Sequence, residues 1–432
     1  MSETILLKGG SVASAQGAPA RADVLVSDGR VQAVGTNLQA PAVARVADCS
    51  GCVLLPGLFD MHVHVREPGR EDRETIASGS EAAINGGITG ILTMPNTQPA
   101  IDSGGMVRFV RNIARERSRI PVRVAGCATK GREGRQIAEV ADMLENGAVL
   151  ITDDDHPIED PNVLRRLLEY ARPFNVPAAR HPDTPALTGK GAMNEGRVSF
   201  DLGLPGIPAC GEEIAIGRDL RLAKYTGARI HIQQVSTASG MDIIQRFRED
   251  GVRVTSEITV HHLIFCDEDI GEYDTALKIN PPLRTREDLE RLRKGFRDGL
   301  FDVVATGNAP HTEFDKNQDF LNAPAGITGL DTALIALHHH GIAPGHYGWD
   351  AIVRCFSENP RCLLGLPISE IRAGAPADLV VFDPAASTTV TRDFLQSRSH
   401  NTPFLGKTLQ GSVDMVFAEG VLVLDRRAGG RS

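Results

Sequence analysis

The chain has 432 residues, too many for one compact core and enough for a large barrel with a small satellite. Its 41% hydrophobic and 23% charged residues describe an ordinary globular protein. A net charge of −9, with no block of consecutive Lys or Arg, argues against a nucleic-acid or anionic-membrane partner, and no apolar run is long enough to span a bilayer.

The opening residues, Met-Ser-Glu-Thr, lack the basic-then-apolar order of a signal peptide, so a cytoplasmic location is expected. Residues 5–7, 23–26 and 30–34 read as short strands separated by Gly, Asp and Ser turns. From about residue 55 the texture changes. Eight apolar, mostly β-branched runs follow, at 58–64, 88–96, 122–129, 148–154, 176–181, 229–236, 253–262 and 303–311. Between them, segments such as 164–171 and 288–296 carry apolar residues at helical spacing. Eight β/α units predict a closed (β/α)₈ TIM-type barrel over residues 55–371, with its chemistry at the C-terminal strand ends. Strand texture returns at 377–382 and 413–417, with a turn at Glu419-Gly420. The two β-rich ends, 1–54 and 372–432, are expected to build one small β-sandwich domain.

Seven cysteines, an odd number and mostly within apolar runs, read as buried free thiols. Cys49 and Cys52 form one Cys-x-x-Cys with no second pair beside it, which favours a structural role.

The densest chemical signal is Asp60-Met61-His62-Val63-His64-Val65-Arg66, ending the first run. Strand side chains alternate faces, so His62 and His64 point the same way and can chelate a divalent metal at the barrel mouth. Asp154 ends the fourth run and His181 the fifth, adding a carboxylate and a third imidazole on the same face. An aspartate can bridge metals that activate water against an amide.

With these residues in view, Asp60–Gly69 resembles the signature of class I dihydroorotases. Similar motifs follow in order: Met94-Pro95-Asn96-Thr97, Met193-Asn194-Glu195-Gly196, Leu204-Pro205-Gly206-Ile207-Pro208, Asn280-Pro281-Pro282-Leu283-Arg284 and Ala309-Pro310-His311. The resemblance implies reversible cyclisation of N-carbamoyl-L-aspartate to L-dihydroorotate, with zinc as cofactor and a homo-oligomeric assembly. It assigns His62, His64, Asp154 and His181 to metal, and Arg66, Asn96 and His311 to the substrate carboxylate. The second assignment is chemically sensible: Arg offers a planar fork of donors, and Asn and His add neutral ones.

Two positions depart from the pattern. The family places a metal-binding histidine directly before Val-Ser-Thr; this chain has Gln234 there. An amide oxygen is a weak ligand for zinc. His231, at an odd offset along the strand, faces the other way. The family reads Ala-Thr-Asp-His-Ala-Pro-His at the eighth run, and its aspartate binds metal and shuttles the proton. This chain has Gly307 in that place and Asn308 after it, neither of which can act as a base. Loss of general acid–base catalysis is worth about 10²–10⁴ in rate.

The expectation is therefore a family member with weak or no activity, holding at most one zinc ion weakly, and a non-catalytic partner of aspartate transcarbamoylase. The alternative is an active cyclic amidohydrolase using a single metal. Hydantoinase or allantoinase activity is disfavoured, because those relatives use a carboxylated lysine where Asp154 stands. His338-His339-His340, at an expected helix C-terminus, and His261-His262 are read as structural. His156 is the one candidate for a replacement ligand, and is expected not to serve as one.

Overall fold

The computed structural model describes residues 3–427. The N-terminal part forms strands β1 (Ile5–Ser14), β2 (Gly17–Ser27), β3 (Arg30–Gly35), β4 (Arg45–Asp48) and β5 (Val53–Pro56). The middle contributes β6 (Leu58–Val63), β7 (Ile88–Thr93), β8 (Val122–Gly126), β9 (Ala148–Ile151) and β10 (Ala178–Arg180). It continues with the two-residue strands β11 (Met193–Asn194) and β12 (Gly206–Ile207), then β13 (Ile230–Ile232), β14 (Val254–Thr259) and β15 (Val303–Ala305). The chain returns through β16 (Leu379–Thr389), β17 (Thr408–Ala418) and β18 (Val421–Asp425).

Both ends of the chain join one continuous sheet in the order β18-β17-β16-β5-β1-β2-β3, with β4 beside β1. The seam is the antiparallel pairing of β16 with β5, Leu379 opposite Pro56 and Phe382 opposite Val53. Two tight turns lock it. Asp28-Gly29 and Glu419-Gly420 all adopt positive φ, the geometry a two-residue hairpin needs. The turns touch: a Cβ on Gly420 would lie 2.7 Å from the Gly29 carbonyl oxygen, so only glycine fits. One face of the sheet buries Ile5, Leu7, Val24, Val26, Leu54, Leu379, Val381, Met415 and Phe417.

The middle forms the expected barrel, eight parallel strands in the order β6-β7-β8-β9-β10-β13-β14-β15. It closes where Val63 pairs with Asn308 and the His64 amide donates to the Asn308 carbonyl at 3.0 Å. Helices cover the outside, several with side-chain caps, including Thr75, Asp160, Thr237 and Thr285. Phe59, Met61, Leu92, Ala125, Leu150, Ala179 and Val303 from six strands, with Met94 just past β7, pack into one buried cluster. That cluster fills the barrel and gives the site above it a rigid floor.

Each expected run contains an observed strand near its beginning but extends past that strand's end. The residues beyond, which carry the polar groups, leave the pleat. Arg66, Asp154, Gln234 and Gly307 all have φ between 50° and 59°. Asx and glycine tolerate this left-handed conformation; Arg66 and Gln234 hold it at a cost of order 1 kcal/mol each.

Candidate active site

The cavity at the barrel mouth has a volume of about 370 Å³ and is lined on its polar side by His64, Arg66, Asn96, Asp154, His181, Gln234 and His311. Behind the lining residues Asp154 and Gln234, and in contact with both, stands His62, which is fully buried. The His62 Nδ1 lies 2.8 Å from Glu257 Oε1 and its Nε2 lies 3.0 Å from Asp154 Oδ1. Burial opposes charge on this ring, but the two carboxylates outweigh it and lift the imidazole to about 10. Glu257 responds in the opposite sense. Burial disfavours its charge, yet His62 and His231 hold it at about 2.

His64 contrasts with its neighbour. Burial pushes it down to about 4, with Arg66 and His62 adding repulsion. Its Nδ1 lies 2.9 Å from Asn96 Oδ1 and 3.6 Å from Asp154 Oδ2. Neutral His64 therefore donates through Nδ1 to Asn96. Asp154 is held in its bend by its own backbone amide, which donates to Thr152 Oγ1 at 2.8 Å. Burial works against its ionisation, but His64, His62 and Arg132 keep the carboxylate well below the usual range.

Ligand-type atoms of His62, His64 and Asp154 all lie within 4.8 Å of one another. Asp154 Oδ2 is buried without a hydrogen-bond partner. This donor set, two imidazoles and a carboxylate with a free oxygen, suits one divalent transition metal. His181 lines the same cavity with its Nδ1 buried and unpartnered, but stands outside that three-residue group.

Gln234, the residue expected to stand in place of an imidazole, lines the cavity beside His62. Its Nε2 lies 3.1 Å from His62 Nε2. That ring nitrogen is thus committed in either state, to Asp154 when protonated and to the Gln234 N–H when not. A metal on His62 Nε2 has to displace the amide. Gly307 adds no side chain to the cavity wall it lines. The neighbouring Asn308 faces away: its Oδ1 accepts from Gly329 N at 3.0 Å. His231 packs in the barrel with Nε2 3.5 Å from Glu257 Oε2, away from the metal-type group.

Arg66, Asn96 and His311, the three residues expected to meet a carboxylate, all line the cavity. Arg66 directs Nε to the Pro310 carbonyl at 3.3 Å. Arg73, 3.0 Å from Asp315 through its Nε, shares the cavity lining. Burial, with repulsion from Arg73, lowers Arg66 to about 10. His311 differs from the expected neutral donor. Its Nε2 lies 2.9 Å from the Ala325 carbonyl, so the ring's one proton is used there. The buried Nδ1 has no partner and offers a lone pair. Burial and the nearby Arg66 and Arg73 push this ring down to about 3. It can donate into the cavity only as an imidazolium.

Among the histidines expected to be structural, His261 and His262 line this same cavity, while the others lie outside it. His156 is exposed and contacts Arg132 and Asp155. His338 stacks on Trp349 and bonds to the Gln410 carbonyl, and His339 accepts from the Gln410 amide. Asp153 is saturated by the Ala128 and Thr129 amides and the Thr129 hydroxyl. Arg284 joins three of the quoted motifs in space. Its guanidinium donates to Asn194 Oδ1, to the Ile207 carbonyl and to Ser236 Oγ.

Sequence reasoning missed Glu257 and Gln233. Glu257 grips His62, and Gln233 bridges Thr152 Oγ1 and His62. A lone carboxylate in the middle of a mostly β-branched strand, as in Val254–Thr259, was the available signal.

Residues 51–239 match the family model described as Dihydro-orotase-like. Over 416 residues, 96% of each chain, the protein is 40% identical to a dihydroorotase from Caldanaerobacter subterraneus subsp. tengcongensis. It is 41% identical to a dihydroorotase from Pelobacter propionicus, covering 98% of this chain and 100% of that one. Among solved structures, an L-hydantoinase (dihydropyrimidinase) from Arthrobacter aurescens superposes with a TM-score of 0.88 at 24% identity, covering 99% of this chain and 97% of the other. A dihydropyrimidinase from Brevibacillus agri gives 0.83 at 22%, covering 98% and 95%. At such identities the structural likeness speaks for the fold.

Proposed function

The chain belongs to the dihydroorotase family of amidohydrolases, and from that premise we propose that its cavity binds dihydroorotate and N-carbamoyl-L-aspartate while interconverting them weakly or not at all. The observation that carries this reading is the contact of the Gln234 amide with His62 Nε2 beside a side-chain-free Gly307. The position to which the resemblance assigns the proton shuttle has no titratable group, and the position to which it assigns a metal imidazole holds an amide.

Retention of the carboxylate-binding side supports the binding half of the proposal. Arg66, Asn96 and His311 all line the cavity, next to Arg73. A ligand carboxylate there would meet two guanidinium groups in a partly dehydrated setting, where charge-assisted hydrogen bonds are strongest.

The residues present fit one zinc ion, held by His62, His64 and Asp154 with His181 close by; they do not fit a second. A bound ion would polarise the ring amide carbonyl and lower the pKa of water. The chain's own groups set the limits. Glu257 orients His62 through Nδ1, and Asn96 fixes the tautomer of His64. No side chain at 307 takes a proton. The cluster His62-His64-Asp154 also favours a second reading, an active single-metal cyclic amidohydrolase.

On this reading the chain would serve assembly in place of turnover. The partner consistent with the family's chemistry is aspartate transcarbamoylase, with this chain itself homo-oligomeric. Among the described residues no helix is long and apolar enough to cross a membrane. One assay separates the readings: purified protein with excess zinc and dihydroorotate. Turnover near the common enzyme median of about 10 s⁻¹ would establish the active alternative. Ligand binding without turnover, together with co-elution with aspartate transcarbamoylase, is the expected result.

A further inference from the structure

A second cavity lies on the outer wall of the barrel and shares no residue with the active-site cavity. It is a groove of about 530 Å³ beside the start of β8. The helix Gly104–Arg117 forms one side, burying Val107, Val110 and Ala114 and turning Arg108, Arg111 and Arg115 outward. Positions 108, 111 and 115 recur at three and four residues and so form one stripe. Arg119 and Arg123 extend the lining, and Glu419 is its only carboxylate.

Like charges on one helix stripe repel by a few tenths of a kcal/mol per pair. A solvated stripe is usually interleaved with acids. Here it is not. Arg108 donates to Asn146 Oδ1, Arg111 to the Asn146 carbonyl at 2.6 Å, and Arg115 to Asn112 Oδ1 at 3.1 Å. These neutral acceptors orient the guanidinium groups without cancelling their charge. Among the described residues, none of these three nor Arg123 is ion-paired, while Arg119 pairs with Glu81. Arg123 is half-buried with its Nε out of water and without a hydrogen-bond partner. In a chain of net charge −9, a preorganised arginine groove runs against the overall field.

We propose that this groove binds a small polyphosphate, the diphosphate or triphosphate group of a soluble metabolite, through Arg108, Arg111, Arg115 and Arg123. The guanidinium fork matches phosphate oxygens in pairs, and several forks on one wall suit adjoining phosphates better than a single one. A bounded groove of this size fits such a group rather than an extended nucleic-acid strand.

The test is calorimetric titration of the full-length protein with inorganic phosphate, inorganic pyrophosphate and ATP at low and moderate salt. Pyrophosphate should bind at least about tenfold more tightly than phosphate, with affinity falling as salt rises. ATP binding more tightly than pyrophosphate would identify a nucleotide as the source of the group, and equal binding a simpler diphosphate; both support the site. The double substitution Arg111→Gln with Arg115→Gln should weaken pyrophosphate at least about tenfold. Both side chains are exposed, and an unchanged melting temperature verifies the fold. No heat at millimolar pyrophosphate overturns the proposal. So does undiminished binding by the double variant, which would place the anion elsewhere, and so does tighter binding of a single-stranded oligonucleotide than of pyrophosphate and ATP.

Discussion

A Cβ atom built on Gly307 would sit 3.0 Å from Gln234 Nε2. The two departures from the family pattern are therefore one structural unit: the amide at 234 borders the space that a side chain at 307 would enter. Gly307 has φ 58°, a conformation Asp adopts more readily than most residues.

Restoring one group without the other should fail. Gly307→Asp alone is expected to cost about 1 kcal/mol of stability, from the left-handed backbone and the displaced amide, and to leave turnover low. Gly307→Asp with Gln234→His should raise turnover by more than the product of the two single effects. Urea midpoints and steady-state opening of dihydroorotate in zinc check both halves. A single variant as active as the double would show that the positions act separately.

Metal content should not exceed one ion per chain. His62, His64 and Asp154 supply the donors, and Gln234 and Gly307 supply none comparable for a second. Elemental analysis after dialysis against micromolar zinc should give one equivalent or less, falling towards zero in Asp154→Asn. Two retained equivalents would mean that other side chains complete a second site.

Binding of dihydroorotate should take up a proton. His311 spends its single N–H on Ala325 and is held at about 3 in the free protein, so it assists a carboxylate only after protonation. A bound anion raises that value. Affinity should therefore increase as pH falls through the window between the bound-state value and about 3. Calorimetry in buffers of different ionisation heat reads the uptake directly. Arg66→Gln should weaken binding at least tenfold, as expected for a lost charged hydrogen bond of about 1.5–3 kcal/mol. Proton-neutral binding would remove His311 from the contact.

Acid should destabilise the protein earlier than its carboxylates require. His261 is buried with both ring nitrogens unpartnered, and burial holds it at about 3; His262 is held at about 4 for the same reason. The unfolded chain protonates these rings below about 6.5, and the folded chain does not. Their contribution is whole above that value and is lost as pH falls towards 4. At pH 5.5 the loss is about 1.4 kcal/mol per ring. Denaturant midpoints between pH 7.5 and 4.5 should show the slope, and His261→Phe should reduce it. A flat profile in the unsubstituted protein would contradict this.

The barrel was legible because apolar runs recur eight times and each contains a strand. The ends were not. Alternation assigns faces only while the pleat lasts, and at Asp154 and Gln234 the backbone turns left-handed beyond the last paired residue. His62 and His64 were readable as a pair because they lie at the end of β6. His181 was readable as a cavity residue, but its standing apart from the other three depends on side-chain direction. His311 was found by motif; the commitment of its proton to Ala325 depends on a loop 14 residues away. Glu257 escaped because an isolated acid in a strand reads as an interruption, not as the support of a histidine from another strand.

Barrel closure rests on residue 308, one step from the vacant 307. Asn308 receives the His64 amide through its carbonyl and the Gly329 amide through its side chain, and pairs with Val63. Folding and chemistry are thus assigned to adjacent codons. A lineage can lose the acid at 307 with little penalty in yield or solubility, because the hoop of the barrel is fastened next door. If the proposed loss of turnover holds, selection on the fold alone would go on guarding 308 and the wall around it after it had stopped guarding the reaction.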